Sequence, residues 1–342
     1  MRVAILGAGA IGLASAALLC HRGHQPVLWA PTGRVLPAGK LVATGAVAGT
    51  FEPEVAAECA AALAGAEAVL IAAPGYAHRA VIEAAAPHLR AGQTVLFSSH
   101  MSFSALYLRQ LCPQATIAAW GTTVVTGRRG DGMAVWVTNI RSQVDVAVLP
   151  AGAAAAALAL CAELFGDRFV DRGSLLAIAL SNLNPQNHLA IALCNLTRME
   201  KGEAWRQYAN TTDAVGRLME ALDAERLALA AAAGVRVRTL HEHFRLSFAA
   251  QGETMGDMAR GLAAGDADPS GPTTLDSRYV IEDAPYGLWP TICLARTLGV
   301  KAPLHEAGVA LFSALYGRDF AAENNILPRL GALRPLLGHP PG

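Results

Sequence analysis

The chain has 342 residues, enough for two domains of ordinary size, and 53% of it is apolar against 16% charged, where a typical soluble protein carries about 25% charge. Such a composition buries a large core and excludes wholesale disorder. Lys+Arg and Asp+Glu are equal at 27 each, so no basic excess marks a nucleic-acid surface.

Six cysteines stand at 20, 59, 112, 161, 194 and 293, with no C-x-x-C pair and no metal-ligand spacing to histidine. Scattered in this way they serve as small apolar residues. This points to a reducing cytoplasm, no disulfide framework and no bound metal. Residues 3–20 carry no charge and follow Arg2, the outline of a signal peptide. Gly7, Gly9 and Gly12 inside that run suit a strand–turn–helix better. No other uncharged apolar stretch reaches the ~20 residues of a membrane span without Pro or Gly breaks, so no membrane association is expected.

In chain order, residues 2–6 read as a strand, 10–22 as a helix, and 25–30 as a second strand ending at Pro31-Thr32-Gly33. Residues 40–50 alternate weakly, as strands joined by Gly turns, and 54–63 reads as a helix. The continuous apolar run 68–73 is a parallel strand covered on both faces. A helix at 77–89, a strand at 94–98, a helix at 104–111 and a strand at 115–120 continue the alternation. Strands at 135–139 and 144–149, an Ala-rich helix at 151–165 and a short strand at 168–170 complete it. This order argues a Rossmann-type doubly wound α/β sheet over residues 1–172. From 173 to 342 the pattern is helical: 175–183, 185–200, 213–233, 239–249, 287–298 and 304–315 carry Leu/Ala faces at helical spacing. The Gly/Pro-rich stretch 261–272 reads as a surface loop.

Gly7-Ala8-Gly9-Ala10-Ile11-Gly12 is G-x-G-x-x-G placed directly after a strand and opening a helix. Gly7 permits the tight turn, Gly9 lets the backbone approach a pyrophosphate, and Gly12 lets the helix pack on the strand. The helix N-terminus then offers its free N–H groups to the phosphates. Ala73 and Pro74, where the strand 68–73 ends, are further expected cofactor contacts. An NAD site usually ends its second strand with Asp or Glu on the ribose. Here Ala30 stands there, followed by Thr32 and Arg34, which suit a 2′-phosphate. NADP(H) is therefore expected ahead of NAD.

In the helical half, Ser181-Asn182-Leu183-Asn184-Pro185-Gln186-Asn187-His188 is the most unusual stretch. Asn184 reads as a helix cap and Pro185 as the first helical residue. His188 then lies in the first turn, as a structural helix histidine or as a catalytic one. The amides crowded around it are costly to bury without purpose. A second cluster runs Asp276-Ser277-Arg278-Tyr279-Val280-Ile281-Glu282-Asp283-Ala284-Pro285-Tyr286-Gly287-Leu288. There Arg278 and Asp283 flank a strand-like apolar run, as a salt-bridged surface loop or as a site.

Together, the N-terminal G-x-G-x-x-G, N-P-x-x-H and R-Y-x-x-E-D-x-P-Y-G-L resemble the octopine/nopaline (opine) dehydrogenase family over residues 2–320. The resemblance implies an oxidoreductase that joins the amino group of an amino acid to a 2-oxo acid, pyruvate or 2-oxoglutarate, and reduces the imine with NAD(P)H. It implies His188 and Asp283 as the catalytic pair and Arg278 as the ligand of a substrate carboxylate. Asn184 and Tyr286 are further substrate-binding candidates, and Arg128 or Arg129, placed on a loop, is a second cationic clamp. The apolar helical domain is expected to pair as a homodimer.

Two regions depart from the family pattern. Relatives carry a Pro-Gly-x-x-Gly-like turn where this chain has Ser98-Ser99-His100-Met101-Ser102, and a Glu-Thr pair where it has Trp120-Gly121-Thr122-Thr123. A ketopantoate-reductase-like or 2-hydroxyacid dehydrogenase of the same architecture would use a lysine in the second domain, where only Lys201 and Lys301 occur. A catalytically silent NADP(H)-binding sensor is the alternative from another class.

Overall fold

The computed structural model describes residues 1–31, 39–265, 268–331 and 333. The chain divides into two compact units, Met1–Ala179 and Leu180–Gly342. The dividing point falls inside the helix Leu175–Ser181, a few residues past the boundary read from composition at 172/173.

The first unit is built on an eight-stranded sheet. Its spatial order is Phe169–Asp171, Val144–Leu149, Thr116–Trp120, Thr94–Phe97, Ala68–Ile71, Arg2–Leu6, Gln25–Trp29 and Glu54–Val55. Val144–Leu149 runs antiparallel to Thr116–Trp120; the other neighbours are parallel. Arg2–Leu6 pairs with Gln25–Trp29 on one side and Ala68–Ile71 on the other. The order of connection reverses there, the point where this architecture opens a crevice at the carboxyl ends of its strands.

A second sheet, which the alternation did not foretell, has the order Gly49–Phe51, Leu41–Gly45, Ala134–Ile140 and Val125–Arg129. The strand expected at 135–139 joins this sheet rather than the large one. Val125–Arg129 has no strand signature of its own, because Thr126-Gly127-Arg128-Arg129 carries no alternation of apolar residues. The sheet covers the helix Ala10–His21: a Cβ on Gly127 would lie 3.4 Å from that of Ala14. Leu41, Val125 and Val137 share one core with Leu13 and Leu18. A helix packed on more than one side must be apolar all round, which accounts for the uncharged run that mimics a signal peptide.

Other expectations shift for local reasons. The helix read over 54–63 starts only at Cys59. Glu54–Val55 instead pairs as an edge strand, tethered by the Arg2 guanidinium on Glu54 (2.6 and 2.9 Å). In the second unit the helix read over 185–200 breaks at Asn195, whose side-chain amide donates to the Ile191 carbonyl (3.0 Å). It gives Asn184–Cys194 and Leu196–Glu200. The helix Met255–Ala263 runs into the stretch 261–272 expected as a loop. Thr254 and Asp257 start it with a capping box. A Cβ on Gly216 would lie 2.7 Å from the Gly256 amide nitrogen, so glycine on Asp213–Ala232 lets the two helices cross closely. The run Arg278–Ile281 is a helical turn, not a strand, and leads through a π-helical turn, Ala284–Leu288, into Trp289–Leu298.

Candidate active site

The glycine-rich turn has the shape of a phosphate cradle. Gly7 sits at φ +127° with its N–H donated to the Trp29 carbonyl (2.8 Å). A Cβ on Gly7 would collide with the Ala72 carbonyl, and one on Gly12 with the carbonyl of Gly7. Gly9 differs: nothing lies within 4 Å of the place its Cβ would take. Gly9 also precedes the helix Ala10–His21, which starts with no side-chain cap. Open space above a bare helix start is what a pyrophosphate needs, so these residues fit a dinucleotide. Thr32 and Arg34, expected at its 2′-phosphate, lie outside the described residues.

Arg129 belongs to a strand, not to the expected loop. It donates from Nη1 to the Ala8 carbonyl (3.2 Å) and from Nη2 to the Gly132 carbonyl (3.1 Å), bracing the glycine turn from the second sheet. Arg128 on the opposite face lies over the Trp136 ring, 5.9 Å from its centre. Their alternation along one strand was hidden by the missed strand itself.

The carboxyl ends of the next two strands carry a buried polar group. His78 bonds the Ala73 carbonyl through Nε2 and the Ser104 hydroxyl through Nδ1, each at 3.0 Å. Burial pushes its pKa down to about 4, so the ring is neutral: Nε2–H donates to the carbonyl and Nδ1 accepts from the hydroxyl. This pins Ala73 and Pro74 at the end of their strand. His100, buried and close to His78, is pushed down to about 3. Ser99, Ser102 and Phe103 take positive φ values of 71°, 50° and 55°. Ser99 and Ser102 hold the two positions that glycines occupy in the Pro-Gly-x-x-Gly pattern.

In the second unit the N-P-x-x-H helix brings His188 Nδ1 to 2.5 Å from Asp283 Oδ2, a pair separated by 95 positions. Asp283 is 1% exposed and His188 12%. The imidazole also stacks on Tyr279, with centroids 3.6 Å apart and planes at 11°. The Tyr279 hydroxyl in turn donates to Gln207 Oε1 (2.7 Å). The ring is thus held by edge and by face, and Nδ1–H is committed to the carboxylate, which leaves Nε2 for chemistry. Tyr279, Asp283 and Gly287 follow at intervals of four and share one face of their turn. Against that face the first turn of Asn184–Cys194 is seated. Tyr279 is a functional neighbour that the motifs do not single out; its spacing of four from Asp283 is the sequence signal for it.

His188 borders a partly open cavity of about 90 Å³. Amide and hydroxyl groups of Asn184, Asn187, Gln207 and Thr211 line one part of it. Asn184 is the first helical residue rather than the cap: the residue before the helix is Leu183. Asn182 Oδ1 accepts the Asn184 N–H (3.2 Å), an Asx turn that takes up one of the N–H groups left free at the helix start. The cavity does not reach Arg278 or Tyr286. Arg278 is 62% exposed and lies 3.6 Å from Glu282. Tyr286 is buried, its hydroxyl donated to the Glu323 carbonyl (2.9 Å). Among the described residues there is no group of three or more His, Cys, Asp or Glu able to hold a metal. Among them, too, no helix is long and apolar enough to cross a membrane.

Residues 171–316 match the family model described as NAD/NADP octopine/nopaline dehydrogenase, alpha-helical domain. Residues 3–146 match ketopantoate reductase PanE/ApbA. The opine dehydrogenase of Arthrobacter sp. (strain 1C) is 30% identical over 340 residues, covering 96% of this chain and 94% of its own length. An octopine dehydrogenase structure with NADH and L-arginine shares the fold at a TM-score of 0.81 and 16% identity, over 100% of this chain and 99% of that one. An NADP+-bound yersinopine dehydrogenase does so at 0.73 and 15%, over 96% and 98%. With its glycine cradle and the motif-borne His188–Asp283 pair, the chain belongs to the opine dehydrogenase family, NAD(P)-dependent oxidoreductases that act on CH–NH groups by reductive condensation of an amine with a 2-oxo acid.

Proposed function

We propose that this enzyme prefers NADPH and that His188 and Asp283 move the protons of its condensation. The observation that carries the second point is the 2.5 Å contact of His188 Nδ1 with Asp283 Oδ2 on a ring bordering the cavity. The amine of an amino acid adds to the keto carbon of a 2-oxo acid, and the carbinolamine loses water to leave an imine. Water departs only once its oxygen is protonated, and His188 supplies that proton from Nε2. The imidazole regains a proton from the substrate ammonium as the free amine forms. Asp283 keeps Nδ1 protonated and stabilises the cation. A nicotinamide, when bound, would supply the hydride that the imine carbon needs. From an ammonium substrate to a secondary ammonium product, each turnover takes up one proton.

Asn184 at the cavity and the exposed guanidinium of Arg278 are proposed as ligands of substrate carboxylates. Tyr286 is not, since its hydroxyl serves the Glu323 carbonyl. NADPH is favoured because Ala30 follows the second strand where a ribose-binding carboxylate would repel the 2′-phosphate. A cytoplasmic homodimer is part of the proposal. Six free cysteines support the compartment, and Leu311 and Leu315, exposed one turn apart on the helix Pro303–Tyr316, support a partner. The ketopantoate-reductase-like alternative lacks support in the second unit, where no lysine lines the cavity.

The test is NADPH oxidation over a grid of amino acids and 2-oxo acids, with products read by mass. Turnover should require both substrates and give the condensed, reduced adduct. Full-rate reduction of a 2-oxo acid alone would make the enzyme a hydroxyacid dehydrogenase. NADPH binding without any turnover would make it a sensor. Arg34→Ala should weaken NADPH and leave NADH nearly unchanged.

A further inference from the structure

The cavity beside His188 has a second part of different chemistry. Tyr208, His243, Phe244 and Phe248 line it, with Ile191 and Met219. Their rings form one cluster: Phe244 and Phe248 lie 5.2 Å apart, and Tyr208 is edge-on to both at 6.3 and 6.2 Å. Met219 and Ile191 are buried, whereas Phe248 is 45% exposed.

Among the described residues no carboxylate, lysine or arginine lines the cavity, and the acids described nearby are engaged. Asp268 accepts the N–H groups of Tyr208 and Ala209 (2.7 and 3.0 Å). Glu220 accepts the Met255 N–H (2.7 Å) and faces His241 at 3.3 Å. Asp283 holds His188. A guanidinium or ammonium entering here would give up its hydration for ring faces and amide oxygens such as Asn187 Oδ1, with no carboxylate among the described lining residues to neutralise it, which is costly for a charge. A side-chain carboxylate would meet no lysine or arginine. An aromatic or branched aliphatic group would cover Phe248 and complete a ring cluster at ordinary aromatic spacing.

We infer that this part of the cavity receives the side chain of the amino donor and selects an uncharged, apolar one, such as phenylalanine or leucine. The inference rests on the reading of His188 as the reaction centre under Proposed function.

The test compares kcat/KM for L-phenylalanine and L-leucine with L-arginine, L-lysine and L-glutamate, at a fixed 2-oxo acid and NADPH. The apolar donors should be at least ~10-fold better, the discrimination an apolar pocket achieves. Phe248→Ala should lower kcat/KM about 10-fold more for phenylalanine than for alanine. Phe248→Glu should raise arginine relative to phenylalanine. Charged donors equal to or better than the apolar ones would overturn the inference, as would equal losses for phenylalanine and alanine in Phe248→Ala. Thermal shifts of the NADPH-bound protein with each amino acid separate the two readings. If phenylalanine raises the melting temperature and arginine does not, yet no donor turns over, only the catalytic reading fails. If arginine raises it as much as phenylalanine, or phenylalanine does not raise it, the inference about the pocket fails.

Discussion

Gly287 packs so closely on Pro185 that a Cβ there would lie 2.8 Å from the proline Cβ and nearer still to its Cγ. Gly287 is four residues beyond Asp283, and Pro185 is three before His188. Their contact therefore sets how deeply the first turn of Asn184–Cys194 settles over the carboxylate. Gly287→Ala should push the helix back and part the imidazole from Asp283. Displacements of about 1 Å cost on the order of 10²-fold in rate. We expect kcat to fall by that order while NADPH affinity is kept. Unchanged kcat would show that the seating of this helix does not matter.

The three glycines of the cofactor turn should separate by role. Gly7→Ala and Gly12→Ala put a Cβ into backbone carbonyls, and Gly7 also holds a positive φ. Both should lower the melting temperature. Gly9→Ala meets no protein atom within 4 Å, so it should fold normally and bind NADPH at least ~10-fold more weakly by fluorescence titration. Native affinity in Gly9→Ala would place the pyrophosphate elsewhere.

Ser99 and Ser102 hold left-handed backbone without being glycine, a strain of about 1–2 kcal/mol each. Replacing either by glycine removes the strain but adds chain entropy, so Ser99→Gly should gain roughly 0.5–1 kcal/mol. Ser99→Val should lose more than that. Denaturant midpoints decide it, and a stable Ser99→Val would contradict the backbone assignment.

His78 and His100 make the first unit acid-sensitive. Burial lowers their pKa values from 6.5 to about 4 and about 3. The unfolded chain therefore takes up these protons first as pH falls. Stability is full above about pH 6.5 and is lost progressively toward pH 4, with a slope approaching ~1.4 kcal/mol per pH unit for each ring. His100→Leu should flatten the loss between pH 7 and pH 5 in urea unfolding. An unaltered slope in that variant would show that His100 is not buried neutral.

Much of this site could be read in the sequence because its signals are local. G-x-G-x-x-G and N-P-x-x-H each span no more than six consecutive residues at the start of a helix, and the family pattern links His188 to Asp283. Tyr279 was harder, since an aromatic in an apolar run looks like core until the helical phase is known, and Arg278–Ile281 was read as extended. The second sheet was harder still. Val125–Arg129 has little apolar pattern of its own and is a strand because Ala134–Ile140 pairs with it. For Tyr286, which its motif suggests for substrate, the hydroxyl's partner is the carbonyl of Glu323, 37 positions away and beyond any local signal.

The most direct measurement is a double-mutant cycle on His188→Ala and Asp283→Asn, with kcat/KM read for NADPH-dependent condensation and cofactor affinity read separately. Each single change should remove about 10²–10⁴-fold of the rate. The double variant should lose little more than the worse single one, since one functional unit is removed only once, and all three should bind NADPH as the native enzyme does. Losses that multiply, or a His188→Ala enzyme that keeps its rate, would contradict a proton shuttle formed by this pair.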